Sequence, residues 1–222
     1  MIEFLPTIDS NEIAEQRRGE LSLPRHVAQA LGASALVAIR GGSYWNNNGN
    51  KVDWAKEVRS TIDSKVSISP TERLQPAGAR FERTSVQVTN ESTLGAARRL
   101  FDQVRNPLAL NFANSVQPGG GFLSGALAQE ECLCRSSALF GTLENDLMYE
   151  FHQKRPLPDS TDWAIYSPNV PIFRTDDGTA LDEHWPLSFI SCAAPVTHRM
   201  DRKIAADLLT ARINRVLSIA SS

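Results

Sequence analysis

Three consecutive glycines, followed shortly by two consecutive glutamates, are the residues of this 222-residue sequence best suited to chemistry. The glycines are residues 119–121, directly after Pro118, and the acids are Glu130 and Glu131. Glycine has no Cβ, so the backbone N–H groups of such a run can approach a ligand closely, and beside a helix N-terminus they favour phosphate. A flexible surface loop would explain the glycines equally well, so the run alone leaves both interpretations open.

The two glutamates lie at the start of a predicted helix. At helical spacing Leu127, Glu131, Cys134 and Ala138 share one stripe, which places the Glu131 carboxylate among apolar residues. A carboxylate on an apolar stripe is either partnered or functional. Glu130 lies roughly 100° further round the helix, so we expect the two carboxylates to point apart. A solvated acidic helix start, favoured by the helix dipole, is the alternative interpretation.

Together these two features resemble the signature of the poly(ADP-ribose) glycohydrolases. The Pro-Gly-Gly-Gly run is followed, after seven further residues, by Gln-Glu-Glu at 129–131. The flanking segments Asn-Phe-Ala-Asn (111–114) and Leu-Cys-Arg-Ser-Ser (133–137) are similar to the bacterial-type branch of that family. Weaker similarity is found at residues 42–45, 167–174 and 190–195, so the resemblance extends over most of the sequence.

The resemblance implies a fold and a reaction. The fold would be a macrodomain-like α/β sandwich of three layers, with a mixed central sheet flanked by helices. The reaction would be hydrolysis of ribose–ribose O-glycosidic bonds in poly(ADP-ribose), or on an ADP-ribosylated protein, with ADP-ribose released and no metal or cofactor required. The family's catalytic glutamate is the second of the pair, Glu131 here, as general acid/base. A non-catalytic ADP-ribose-binding module and a truncated inactive family member are the alternatives.

The same resemblance assigns ligand contacts. Glu130 and Gln129 would hold and orient the ribose next to the scissile bond. Asn114, at the end of the preceding strand, would hydrogen-bond the distal ribose. The backbone passing close to that ribose and to the diphosphate would be that of Gly119, Gly120 and Gly121.

The general-acid role makes a structural demand on Glu131. Glycoside cleavage passes through an oxocarbenium-like state and needs a proton for the leaving oxygen. The carboxyl must therefore hold a proton near neutral pH, which requires burial strong enough to oppose the helix dipole. We expect Glu131 in a semi-closed cleft roofed by neighbours such as Phe122.

Strands and helices are predicted to alternate on both sides of this segment. Residues 84–89 alternate like a half-buried strand, and Asn90 is expected to cap the helix that follows. One face of that helix is apolar, with Leu94, Ala97 and Phe101. Residues 108–113 predict the strand that leads into the glycine run. Such alternation favours an α/β sandwich whose ligand loops lie at the carboxyl ends of the strands.

The second half of the sequence predicts further strands and a long helix. Residues 163–173 predict short strands broken by Pro168 and Pro171, and residues 187–192 predict a buried strand. Residues 200–220 predict an amphipathic helix. Its apolar stripe is predicted to contain Ile204, Leu208, Ala211, Val216 and Ile219.

Length and pattern favour one domain over residues 1–222, with residues 1–80 as an N-terminal helical and hairpin extension packed on it. Residues 9–31 favour a helix interrupted at Pro24. Residues 41–50 predict two strands joined by a tight turn, because Asn and Gly supply the positive φ that such a turn needs.

Bacterial-type family members continue beyond the last predicted helix with a strand, a second glycine-rich loop and a closing helix. This sequence ends at Ser222, after the helix of residues 200–220. We therefore expect the C-terminal strand and helix to be missing from the fold. The lost strand would leave an unpaired sheet edge and an exposed apolar stripe on that helix.

Composition excludes several classes of function. The 23 basic and 25 acidic residues give a formal net charge of −2, so no positive field favours generic nucleic-acid binding. No apolar stretch is long enough to span a membrane, and the N-terminus does not resemble a secretory signal. The three cysteines are an odd number without zinc-site spacing, so we expect reduced thiols in a cytoplasmic protein. We also expect a monomer.

Overall fold

The computed structural model describes residues 1–74, 78, 82–103, 105–155 and 160–222. Its elements follow one another as β1 (Ile2–Phe4), α1 (Asn11–Leu21), α2 (Arg25–Gly41), β2 (Ser43–Trp45), β3 (Lys51–Asp53), α3 (Ala55–Asp63), β4 (Val66–Ile68), β5 (Thr84–Val86), α4 (Thr93–Asp102), β6 (Leu108–Ala113), α5 (Gln129–Ser136), α6 (Leu139–Leu143), α7 (Leu147–Gln153), β7 (Ala164–Arg174), β8 (Ala180–Ala193) and α8 (Arg202–Ser221). Short 3-10 turns lie at Phe122–Ser124 and Thr197–Arg199.

The centre of the fold is a four-stranded mixed sheet in the order β4-β7-β8-β6. Strand β7 is antiparallel to both β4 and β8, whereas β6 runs parallel to β8. Two small sheets accompany it: β1 pairs with β5 in parallel, and β2 forms an antiparallel hairpin with β3. A hairpin is therefore present, as predicted, but it lies later than residues 41–50, because Gly41 ends α2 and the second strand is Lys51–Asp53.

Helices cover both faces of the central sheet. Because strand side chains alternate between faces, Phe189 of β8 enters the larger core cluster, together with Ile39 of α2 and Leu133 of α5. The next residue, Ile190, points to the other face and packs in a second cluster with Ile219 of α8. The result is an α/β fold with a mixed sheet between helical layers, as expected from the sequence.

Strand β7 is longer and more continuous than predicted. It runs from Ala164 to Arg174 through both prolines that were expected to break it. The pairing with β8 shifts register between Ser167 and Val170, where Asn169 adopts a left-handed φ of 49°. This bulge accommodates Pro168, which cannot donate to the ladder, and the Pro168 carbonyl accepts from the Thr61 hydroxyl at 2.6 Å.

The prediction of a half-buried strand at residues 84–89 is wrong. Only Thr84–Val86 form a strand, all three residues are exposed, and the partner is β1 rather than the central sheet. Asn90 is not the cap of α4. Its side-chain amide donates to Asp9, while Ser92 caps the helix by accepting from the Gly95 backbone N–H at 2.9 Å.

The long C-terminal helix is present, but its buried face differs from the predicted stripe. Ala205, Arg212 and Ile219 are buried, whereas Ile204 and Ala211 are exposed. The reason is that a cation occupies this face: the Arg212 guanidinium reaches the Ala193 carbonyl at the end of β8. Large apolar side chains remain exposed on α8, namely Ile204, Leu209, Ile213 and Leu217.

Two further observations concern the bounds of the first two helices and the absence of a membrane-spanning helix among the described residues. Pro24 separates α1 from α2, as predicted, and α2 continues to Gly41, well beyond the expected end of the helix. Within the described residues, none of the helices combines the length and apolar character that crossing a membrane would require.

Candidate active site

Strand β6 ends at the site, and Asn114 forms a turn directly after the strand. The Asn114 side-chain oxygen accepts from the backbone N–H groups of Val116 and Gln117, at 2.9 Å each. This is the local geometry by which Asn forms a turn with its own backbone. The Asn114 backbone N–H donates to Glu130 Oε2 at 2.8 Å, so the turn is fixed to the first turn of α5.

The glycine loop passes directly over the two carboxylates. Gly119 and Gly120 adopt left-handed φ angles of 68° and 55°, which glycine adopts without steric cost. A Cβ on Gly120 would lie 2.4 Å from Glu131 Oε1 and 3.1 Å from Glu130 Oε2. The glycines therefore allow the backbone to lie close to the carboxylates. This favours an ordered loop at the site over a flexible surface loop.

The carboxylates of Glu130 and Glu131 converge on Gly120, although their helical offset predicted that they point apart. Both residues are buried, with 3% and 8% of their surface exposed. Glu131 Oε1 accepts from the Gly121 backbone N–H at 2.8 Å. Glutamate has three side-chain torsions, and in the first turn of α5 both side chains bend back toward the loop. A solvated acidic helix start is thereby excluded.

The Glu130 carboxyl holds a proton more tightly than an exposed glutamate. Burial raises its pKa from 4.5 to about 7, the Asn114 N–H and the Asn111 side chain oppose that rise, and the neighbouring Glu131 charge adds to it. Asn111 was not predicted as a site residue. It is fully buried on β6, and its amide donates to Glu130 Oε1 at 3.3 Å and to the Ser191 hydroxyl at 3.0 Å. Its signal in the sequence is a polar side chain at an inward position of a strand.

The Gln129 side chain is hydrogen-bonded to β6 and α4, and the ribose contact that the resemblance implies stays a prediction. Its side-chain oxygen accepts from the Phe112 N–H at 2.8 Å, and its amide nitrogen donates to the Leu110 carbonyl at 2.8 Å and to the Thr93 hydroxyl at 3.0 Å. Both ends of the amide are thus engaged with β6 and α4. The structure gives Gln129 the role of holding α5 against β6.

Phe122 does not roof the carboxylates. Its side chain is 1% exposed, and its ring centroid lies 4.9 Å from that of Phe140 in the core. A Cβ on Gly119 would meet the Phe122 ring at 2.9 Å. The ring therefore supports the glycine loop from the protein interior. The loop residues that lie against the Glu131 carboxylate are Gly120 and Gly121.

Residues 33–175 match the family model described as the catalytic domain of microbial-type PARG. This chain belongs to the microbial-type PARG family. The match includes β6, the glycine loop and α5, which carry the arrangement described above. No curated protein matches the sequence.

Solved structures of bacterial PARGs are similar to this family member over most of its length. Poly(ADP-ribose) glycohydrolase from Thermomonospora curvata is 35% identical, with a TM-score of 0.81 over 88% of this chain and 75% of that chain. The same enzyme bound to the inhibitor ADP-HPD gives 33% and 0.77, over 88% and 74%. The Deinococcus radiodurans enzyme in complex with ADP-ribose is 33% identical, with a TM-score of 0.65 over 77% and 73%. The expected family and macrodomain-like fold are confirmed.

A separate cavity of this PARG-family protein lies away from the carboxylates. It has a volume of about 1340 Å³, runs between α4 and the outer half of the β7–β8 hairpin, and includes Arg98 and Trp185 in its walls. Within the described residues its lining contains no member of the glycine loop or α5. We therefore identify the candidate active site from its two carboxylates and its glycine loop, and not from the size of a cavity.

Proposed function

We propose that this PARG-family hydrolase cleaves the ribose–ribose O-glycosidic bonds of poly(ADP-ribose) with Glu131 as general acid and base. The observation that carries the proposal is the orientation of one carboxyl group. Glu131 is buried, and its Oε1 is held by the Gly121 N–H. Among the hydrogen bonds of the described residues, the one that reaches this carboxylate is to Oε1, and none is to Oε2. That oxygen is left to face the leaving ribose oxygen, which the reaction must protonate.

The ligand class is inferred from the loop and from the relatives. The Deinococcus enzyme was crystallised with ADP-ribose and the Thermomonospora enzyme with ADP-HPD. We infer that Gly119, Gly120 and Gly121 here run close to the diphosphate and distal ribose, because their backbone can approach a ligand without a Cβ in the way. Asn114, exposed beside the loop, would hydrogen-bond that distal ribose.

One carboxyl group, that of Glu131, can carry out both proton transfers of the proposed reaction. Glu131 donates its proton to the glycosidic oxygen as the bond to the anomeric carbon breaks. The resulting carboxylate then takes a proton from water, whose hydroxyl adds to that carbon. Glu130 stays hydrogen-bonded to Asn114 and Asn111 throughout, so its part is to orient the ribose and hold the turn.

The test is release of ADP-ribose from poly(ADP-ribose) by the unmodified protein and by Glu131→Gln. Glutamine keeps an oxygen that can accept from Gly121 but cannot donate a carboxyl proton, so we expect a loss of 100-fold or more, within the roughly 10²–10⁴-fold range of general acid–base catalysis. Thermal stabilisation by ADP-ribose should persist in the variant. Glu57→Gln, an exposed change on α3, is the control and should hydrolyse normally. A binding module would instead respond to ADP-ribose and release nothing even without substitution.

Location and assembly are further proposals. Cys132, Cys134 and Cys192 are all free and buried, which supports a reducing compartment, and we place the protein in the cytoplasm. We also propose that it acts as a monomer, because Glu130, Glu131 and the glycine loop all come from one chain.

A further inference from the structure

We propose that the last turn of α7 positions the loop of residues 114–117, with His152 and Gln153 acting as positioning residues for the reaction. The inference rests on the proposed function, because it concerns how the loop beside Glu131 is held. The segment concerned is residues 114–117, named here the Asn114 turn.

Two consecutive carbonyls of the Asn114 turn are bound by two consecutive side chains of α7. His152 Nδ1 lies 3.0 Å from the Ser115 carbonyl oxygen. Gln153 Nε2 donates to the Val116 carbonyl oxygen at 2.8 Å. These contacts reach across 37 positions of sequence, so they do not arise from local chain geometry.

The partners of His152 fix its protonation state. A carbonyl oxygen can only accept, so Nδ1 carries the hydrogen. On the other side of the ring, the Thr161 backbone N–H donates to Nε2 at 3.0 Å, and the Thr161 hydroxyl lies 2.7 Å away. Nε2 must therefore be unprotonated. The buried, neutral ring joins the loop after β6 to the loop before β7.

The Asn114 turn is hydrogen-bonded at both of its ends to residues that adjoin Glu131, namely Glu130 and Gly120. At one end, the Asn114 N–H donates to Glu130 Oε2. At the other end, the Gln117 carbonyl accepts from the Gly120 N–H at 3.0 Å. A shift of the Ser115 and Val116 carbonyls would thus move both Asn114 and the glycine that touches Glu131.

Helix α7 is itself firmly placed. Asp146 caps it by accepting from the Met148 N–H at 3.0 Å, and its carboxylate also accepts from the Ser67 hydroxyl at 2.8 Å and pairs with Lys65 at 3.1 Å. Met148 and Tyr149 are buried in the core. The helix end therefore offers a fixed reference for a loop that has to hold a substrate.

The experiment compares poly(ADP-ribose) hydrolysis by Gln153→Met and Lys154→Met. Gln153 is exposed, so its replacement should leave folding intact, and methionine keeps the side-chain length but removes the donor. Lys154 is the adjacent exposed residue and pairs only with Glu150 among the described contacts. We expect kcat to fall about tenfold in Gln153→Met, since a loop displaced by a fraction of an ångström misaligns substrate and acid. Lys154→Met should match the unmodified protein, and the unfolding midpoints of all three should agree.

A second series tests His152. His152→Leu should lower kcat more than Gln153→Met does. His152→Asn should recover much of the loss, because its amide nitrogen can take the place of Nδ1 and donate to Ser115. The proposal is overturned if Gln153→Met retains full kcat, or if activity in the His152 variants follows their unfolding midpoints with no recovery by asparagine. Inactivity of the unmodified protein would instead reject the proposed function.

Discussion

Glu131 Oε1 occupies the space that a side chain on Gly120 would need: a Cβ there would stand 2.4 Å from it. The catalytic candidate and the glycine loop are therefore one packed unit, in which the missing Cβ makes room for the carboxylate. The loop does not merely lie near the acid. It covers the acid, and the Gly121 N–H fixes one of its two oxygens.

The first prediction concerns Gly120→Ala. The new methyl group must displace Glu131, so ADP-ribose release should fall 100-fold or more, since small misplacements of catalytic groups carry losses of about that size. Gly49→Ala is the matched control, because Gly49 also has a left-handed φ, of 75°, but has open space around its Cβ position. It should lose about 1 kcal/mol of stability from backbone strain and keep its activity. Equal activity of both variants would show that the packing against Glu131 does not matter.

The second prediction concerns the pH dependence of stability. Folding raises the pKa of Glu130 from 4.5 to about 7 by burial. The folded state therefore holds this proton more tightly, and the stabilisation is complete below pH 4.5 and lost as pH rises through about 7. The size of the effect is about 3 kcal/mol.

Glu130→Gln, which cannot ionise, should lack this decline. The measurement is the free energy of unfolding by denaturant at about pH 5 and about pH 8 for both proteins. The unmodified protein should lose more stability than the variant between the two conditions. Parallel pH profiles would mean that the Glu130 carboxyl titrates as it does in an unfolded chain.

A third prediction follows from the contacts of Gln129. Gln129→Ala removes three hydrogen bonds that join α5 to β6 and α4. At about 0.5–1.5 kcal/mol each, the free energy of unfolding should fall by about 2 kcal/mol. Gln103→Ala is the control at an exposed position next to the end of α4 and should stay within about 0.5 kcal/mol of the unmodified protein. If the two variants are equally stable, the Gln129 amide contributes no net stabilisation.

The fourth prediction compares a buried with an exposed ion pair. Asp146 pairs with Lys65 and is almost fully buried, whereas Asp102 pairs with Arg98 on the surface of α4. Asp146→Ala leaves a partly buried ammonium without its partner and removes the cap of α7, so we expect a loss of about 3 kcal/mol. Asp102→Ala should cost less than about 1 kcal/mol. Thermal or denaturant unfolding measures both, and a reversed order would contradict the burial seen at Asp146.

Much of the site could be predicted because its signals are local. The glycine run, the strand before it and the acidic helix start lie within about twenty positions of sequence, and each of them is present. The direction of the Glu130 side chain could not be predicted, because helical spacing fixes where Cβ points and leaves three torsions free. Asn111 was missed for a related reason, since only the folded sheet shows that its inward amide faces a carboxylate.

Errors in the fold come from partners that are distant in sequence. Strand β5 has an alternating pattern, yet it pairs with β1 at the other end of the N-terminal region and stays exposed. Pro168 does not interrupt β7, because a bulge accommodates it and its carbonyl accepts a hydrogen bond from the Thr61 hydroxyl. The predicted stripe of α8 is right at Val216 and Ile219, which pack in the second core cluster, and wrong at Ile204 and Ala211, which are exposed. An arginine lies on the buried face, which an apolar pattern cannot anticipate.

The Gln129 amide also covers part of the edge of the central sheet. In the described fold β6 ends the central sheet, and the amide of Gln129 takes the Leu110 carbonyl and the Phe112 N–H as a residue of a neighbouring parallel strand would. An intruding chain would have to displace this amide before it could pair there. One helix residue thus occupies part of the edge of β6, and unpaired strand edges are the places where strands of other copies can add.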